Sequence, residues 1–156
     1  MSPSSNGLQV AIEMAKRNRD AAAAALSQAR AQQNGAQAQL EQLQVYAGET
    51  EARWTSQARV KASPELMHHH YQFMGRLYQA LDMQRGVLKQ HERRVVGLIG
   101  GLRETELRLV SLQKVVAKHR SDAARVQARR DQKEVDEFAA QQMRRLALAR
   151  QEGTHG

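Results

Sequence analysis

The sequence predicts an all-α fold: a long antiparallel two-helix coiled coil, or helical hairpin, with the second helix extending beyond the first. Three observations carry this expectation. Ala, Gln, Arg, Leu and Glu dominate the 156 residues, and all favour helix. Proline occurs only at Pro3 and Pro64. Two series of small or apolar residues, spaced alternately by four and three, flank one helix-start signal. Aromatics make up 4% of the chain, too few for a thick globular core, whereas a two-helix seam needs only Leu, Val and Ala.

The first seam reads Leu8, Ile12, Ala15, Arg19, Ala22, Leu26, Ala29, Gln33, Ala36, Leu40, Leu43, Ala47, Thr50 and Trp54. Alanine prevails in its middle and permits close approach of the helices. Arg19 and Gln33 are polar intrusions that fix register at some cost in stability. Near residue 60 the pattern stops. Ser63-Pro64-Glu65 supplies a capping side chain, a proline at the first helical position and an acid at the positive end of the helix dipole. A hinge is therefore expected at about residues 59–63.

The second seam follows: Met67, His70, Met74, Leu77, Leu81, Gln84, Leu88, His91, Val95, Leu98, Leu102, Thr105, Leu109, Leu112, Val116, His119, Ala123 and Val126. Folding back at the hinge sets residue i beside roughly residue 123 − i. Leu8 then falls near Val115, and the second helix continues alone beyond that point. Gly97, Gly100 and Gly101 interrupt it, each costing about 0.8–1 kcal/mol relative to alanine. They either mark a bend or are absorbed by a well-packed helix. The expected organisation is a single coiled-coil domain over residues 1–156. Helix 1 covers about 8–58, helix 2 about 64–147, and a frayed tail 148–156.

Net charge is +8, carried as +1 over residues 1–60, +5 over 61–119 and +2 over 120–156. Such a charge suits nucleic acid, anionic lipid or an acidic protein face. Nucleic acid is disfavoured, because the basic residues are interspersed with acids and form no bZIP-like block. A purely structural coiled coil is the other alternative. The absence of cysteine excludes disulfides and Cys-based zinc sites and fits a reducing cytoplasm. Met1–Asn6 is polar and followed by no apolar run, so no signal peptide is expected, and no stretch has the length of a membrane span.

Tyr46, Trp54, Tyr71, Phe73 and Tyr78 cluster within residues 46–78, and only Phe138 falls elsewhere. All but Trp54 of the cluster lie one position off the seam, where a two-helix structure offers little core. Antiparallel pairing brings Tyr46 close to Phe73 and Leu77. The outcome is either a docking patch or packing that stabilises the hinged end. His68-His69-His70 is a poor metal site, since adjacent helical residues point in different directions. Residues 129–140 are dense in both charges, as a solvated helix or a surface addressed to a partner. No phosphate-cradling loop or convergent nucleophile–His–acid set is present, so no enzymatic activity and no cofactor are expected.

Asp131-Gln132-Lys133-Glu134-Val135-Asp136-Glu137-Phe138-Ala139, near the end of a basic, cysteine-free helical hairpin, resembles the Gln-Lys-x-x-Asp-Glu pattern of the FliJ family of flagellar type III export. Gln39-Leu40-Glu41-Gln42-Leu43-Gln44-Val45-Tyr46, Tyr71-Gln72-Phe73 and Leu77 are also similar, and the resemblance spans about residues 8–147. Injectisome stalk proteins are the nearest related group. The resemblance implies a stalk in the pore of the hexameric export ATPase, connecting it to the cytoplasmic domain of the FlhA export gate and binding empty export chaperones. It implies a cytoplasmic protein that meets the inner membrane only through partners. The gate-docking residues it implies are Gln39, Leu43, Tyr46, Phe73, Leu77, Ala80 and Gln84. Thr50 and Gln84 depart from the aromatic and histidine of some relatives. Gln132, Lys133, Asp136, Glu137 and Phe138 would face the ATPase.

Overall fold

The computed structural model describes residues 3–58 and 63–154. Two helices account for nearly all of them: α1, Pro3–Ala58, and α2, Pro64–Thr154. They pack against each other as an all-α helical hairpin. Of the expected hinge, residues 59–62 lie outside the described residues. Ser63 caps α2 as its sequence suggests. The Leu66 backbone N–H donates to Ser63 Oγ at 3.3 Å, and the Met67 N–H donates to the Ser63 carbonyl at 3.1 Å. Such a cap is worth about 1 kcal/mol. Glu65 supplies the acid of the first turn.

Both helices outrun their expected limits. α1 starts at Pro3, where proline suits the first turn because its missing N–H would be unpaired anyway. α2 continues to Thr154, through the segment expected to fray, because Leu146-Ala147-Leu148-Ala149-Arg150-Gln151 are all good helix formers.

Contacts divide the chain into two compact units. The larger, Glu13–Leu109, contains the paired seams. Ala36, Leu40 and Ala47 of α1 pack with Met74, Leu77, Leu81 and Leu88 of α2, and Leu43 leans against them. Leu26 and Ala29 form a second cluster with Val95, flanked by Leu98, Ile99 and Leu102. Gln84 ties the helices together: its Nε2 donates to the Ala36 carbonyl at 3.0 Å and to Gln39 Oε1 at 3.2 Å. The side chain of Arg19, expected to fix register, instead turns to Asp20 on its own helix at 2.9 Å.

The smaller unit joins Met1–Ile12 to Val110–Gly156. Leu8 and Val116 line one shallow hollow there, close to the expected pairing. Val116 is the last residue of α2 that is even half-buried; the described side chains after it are exposed. His119, Ala123 and Val126, expected in the seam, are therefore solvated, because α1 offers no further apolar residue to meet them. Met67, at the other end of the α2 seam, is also exposed, in the helix's first turn.

Gly97, Gly100 and Gly101 lie inside the uninterrupted α2, with no positive φ. A Cβ added at any of them would meet nothing within 4 Å. Gly97→Ala and Gly100→Ala, both at exposed positions, are each expected to stabilise the protein by about 0.8–1 kcal/mol. Denaturant unfolding followed by far-ultraviolet circular dichroism measures this. No gain would mean that these glycines relieve a strain the helix otherwise carries.

Candidate functional site

The residues that the family resemblance implies for gate docking arrive from both helices of the larger unit. Gln39, Leu43 and Tyr46 are spaced by four and three along α1, and Phe73, Leu77, Ala80 and Gln84 by four, three and four along α2. Such spacings put each set on one helical face. The antiparallel register brings the sets together. The rings of Tyr46 and Phe73 meet edge to face with centroids 6.4 Å apart. Gln39 accepts the Gln84 amide at the far end of the patch.

Leu77 is buried and Leu43 half-buried against the same cluster, so both support the patch from beneath. Ala80 and Gln84 are half-buried at its edge, whereas Gln39, Tyr46 and Phe73 are exposed. Thr50, one turn beyond Tyr46, donates its hydroxyl to the Tyr46 carbonyl at 2.7 Å and so adds no ring to the patch.

Tyr71 and Tyr78 stand on the other flank of the seam, beside the seam residue Trp54. Trp54 stacks on His70, with centroids 4.3 Å apart and planes 8° from parallel. Tyr78 donates its hydroxyl to Glu51 Oε2 at 3.1 Å. That hydrogen bond, with smaller help from desolvation and the carboxylate's charge, raises the Tyr78 phenol above its ordinary pKa. Tyr71 is 76% exposed. Sequence reasoning grouped all these rings as one cluster and missed that the seam parts them. The signal was present in the rotation of about 100° per residue, which separates positions 71, 75 and 78 from 73, 80 and 84.

In the smaller unit, Gln132, Lys133, Asp136, Glu137 and Phe138 are all exposed on α2. Gln132 donates to Asp136 at 3.0 Å and Gln127 to Asp131 at the same distance, both one turn along the helix. Their polar groups thus bond along the helix, while Phe138 projects at 64% exposure. Of the histidine triplet, His68 and His69 are exposed and His70 is held against Trp54. Among the described residues no three of His, Asp and Glu converge as a metal site would require.

Fold and surface together define a coiled-coil hairpin protein that presents outward-facing side chains. Residues 4–147 match the family model described as "Flagellar FliJ protein". The chain belongs to the FliJ family, which makes it a component of flagellar type III protein export. No curated protein and no solved structure matches it. Among the described residues no helix is long and apolar enough to cross a membrane.

The bond between Tyr78 and Glu51 has a spectroscopic consequence. In an alkaline ultraviolet titration, Glu51→Gln should bring the raised Tyr78 ionisation down toward the ordinary value of a phenol. An unchanged Tyr78 step in the variant would show that the carboxylate does not hold the phenol in solution.

Proposed function

We propose that this protein is a non-enzymatic stalk that couples the hexameric export ATPase to the cytoplasmic domain of the FlhA export gate and escorts empty export chaperones. It would work in the cytoplasm, reaching the inner membrane only through these partners. The observation that carries the reading is the patch on one flank of the hairpin, where the exposed rings of Tyr46 and Phe73 meet edge to face on the helical faces that also carry Leu43 and Leu77. Aromatic side chains fixed over a packed base lose little freedom on binding, which is how interface anchors act. Gln39, Ala80 and Gln84 form the rim, and the Gln84 bonds hold the two helices in the register that keeps the anchors adjacent.

Two surfaces suit a coupling role better than one. The exposed end of α2 would meet the ATPase through Gln132, Lys133, Asp136, Glu137 and Phe138. Its charges of both signs, one turn apart, suit a polar channel, and Phe138 supplies an apolar contact.

The double variant Tyr46→Ala/Phe73→Ala is expected to weaken binding to the isolated FlhA cytoplasmic domain by about tenfold or more, as loss of interface anchors does. Far-ultraviolet circular dichroism should stay nearly unchanged, because both rings lie outside the seam. Calorimetric titration measures the affinity, and undiminished binding would overturn the patch assignment. Separately, Lys133→Ala/Phe138→Ala should reduce co-sedimentation with the ATPase hexamer while leaving FlhA affinity as it was. Loss of both interactions together would argue against two independent surfaces.

A further inference from the structure

A second stripe runs along α2, outside the seam. Lys89, Arg93, Val96, Gly100, Arg103 and Leu107 are spaced by four, three, four, three and four. That is the heptad alternation of the seam itself, so the six residues keep to one line along the helix. The line is about 27 Å long at 1.5 Å per residue. All six residues belong to the larger unit and all are exposed, Val96 at 69% and Leu107 at 67%.

The charge of the stripe is of one sign. Three of its six positions carry a cation and none carries an acid. All 16 acids of the chain lie among the described residues, and none of them forms an ion pair with Lys89, Arg93 or Arg103. The ion pairs of the larger unit join Lys16 to Glu13, Arg19 to Asp20, Arg53 to Glu49 and Arg85 to Asp82, and leave the stripe out. Glu92 and Glu106 stand beside it, each one position past a seam residue, and Glu104 stands on its other border.

The apolar content narrows the kind of partner. Val96 and Leu107 are three turns apart, about 16 Å, whereas a bilayer takes up a broad apolar face. No aromatic ring lies on the stripe to stack a base. A Cβ added at Gly100 would meet nothing within 4 Å, so another backbone can approach there. Heptad spacing, two apolar side chains and an open glycine between them make a line that receives a helix. Cations along that line select carboxylates on the incoming helix.

We propose that this stripe docks an acidic amphipathic α-helix of a partner protein. The partner's apolar side chains cover Val96 and Leu107, its backbone comes closest over Gly100, and its carboxylates pair with Lys89, Arg93 and Arg103. Charge complementarity carries the choice of occupant. The stripe lies farther along α2 than Phe73 to Gln84, so the proposal does not depend on the FlhA assignment.

The full-length protein is titrated, with fluorescence anisotropy as readout, into a labelled helical peptide. The peptide carries two leucines three turns apart and glutamates at heptad spacing along the same face. A matched peptide has glutamine in place of every glutamate. The glutamate peptide should bind saturably, and the glutamine peptide about fivefold weaker or less. Arg93→Gln/Arg103→Gln should weaken the glutamate peptide about fivefold or more, the scale of two ion pairs. Arg94→Gln/Arg108→Gln removes the same charge from positions that precede the seam residues Val95 and Leu109, and should leave the affinity as it was. Gly100→Leu should weaken binding with helicity retained. Absence of saturable binding, equal binding of the two peptides, or equal loss in the two double variants would overturn the proposal, the last by showing attraction to net charge alone. Co-sedimentation with phosphatidylglycerol vesicles that only Arg93→Gln/Arg103→Gln abolishes would make a lipid surface the occupant. Self-association in sedimentation that Gly100→Leu removes would make it a second copy. Either result overturns the partner helix.

Discussion

The rest of the structure depends on how tightly α1 and α2 approach along the seam. The Trp54–His70 stack sets the register: residue i of α1 faces roughly residue 124 − i of α2. Within the larger unit this places Ala15 opposite Leu109, Ala29 opposite Val95, Ala36 opposite Leu88 and Ala47 opposite Leu77, all of them buried. A small residue on α1 meets a large one on α2 at each of these steps. Such pairing fills the space between helices without voids and fixes which α2 side chain each alanine must receive. A slip by one heptad would still pair apolar residues. It would, however, separate Gln84 from Gln39 and Trp54 from His70. The polar bond and the stack therefore single out one register among several that apolar packing alone would tolerate.

A seam built on alanine has no room for rings beside it. Tyr46, Phe73, Tyr71 and Tyr78 are one position off the seam and are left at the surface, on one side or the other according to their rotation about the helix. The same constraint that gives the hairpin its stability thus generates its two aromatic flanks. Their chemistry differs. One is an aromatic pair rimmed by amides; the other joins the Trp54–His70 stack to the Tyr78–Glu51 hydrogen bond.

Much of this was legible in the sequence because the coiled-coil repeat is a one-dimensional code. Every α1 seam position from Leu8 to Trp54 is buried or half-buried, as is every α2 seam position from His70 to Val116. The α2 start was legible because Ser63-Pro64-Glu65 acts through local backbone chemistry. Features that need two helices at once were harder to read. Arg19 looked like a register device, but its long side chain reaches Asp20 beside it and makes no demand on α2. Gln84, with a shorter amide, cannot avoid α1 and reaches the Ala36 carbonyl. A hollow at Trp54 was hidden for the same reason, since Glu51, Trp54 and Thr55 line it from α1 and His70, Tyr71 and Tyr78 from α2.

The smaller unit poses the complementary problem. After Val116, α2 has no described side chain removed from solvent, and it exposes Val126, Val135, Phe138, Met143, Leu146 and Leu148. Most helices in proteins owe their stability to an apolar face packed against something. Here good helix formers, and hydrogen bonds such as Gln127 to Asp131 and Gln132 to Asp136, hold the helix in water. Each such bond contributes only about 0.2–0.5 kcal/mol, enough to keep a helix formed but not to reward exposing so many apolar residues. Val135, Ala139 and Leu146 recur at helical spacing with Gln142 between them, a stripe that the smaller unit leaves uncovered. A preformed helix with an uncovered stripe binds at lower entropic cost than a disordered segment would, because its backbone is already ordered. A partner that covered this face would supply the burial that the helix by itself lacks.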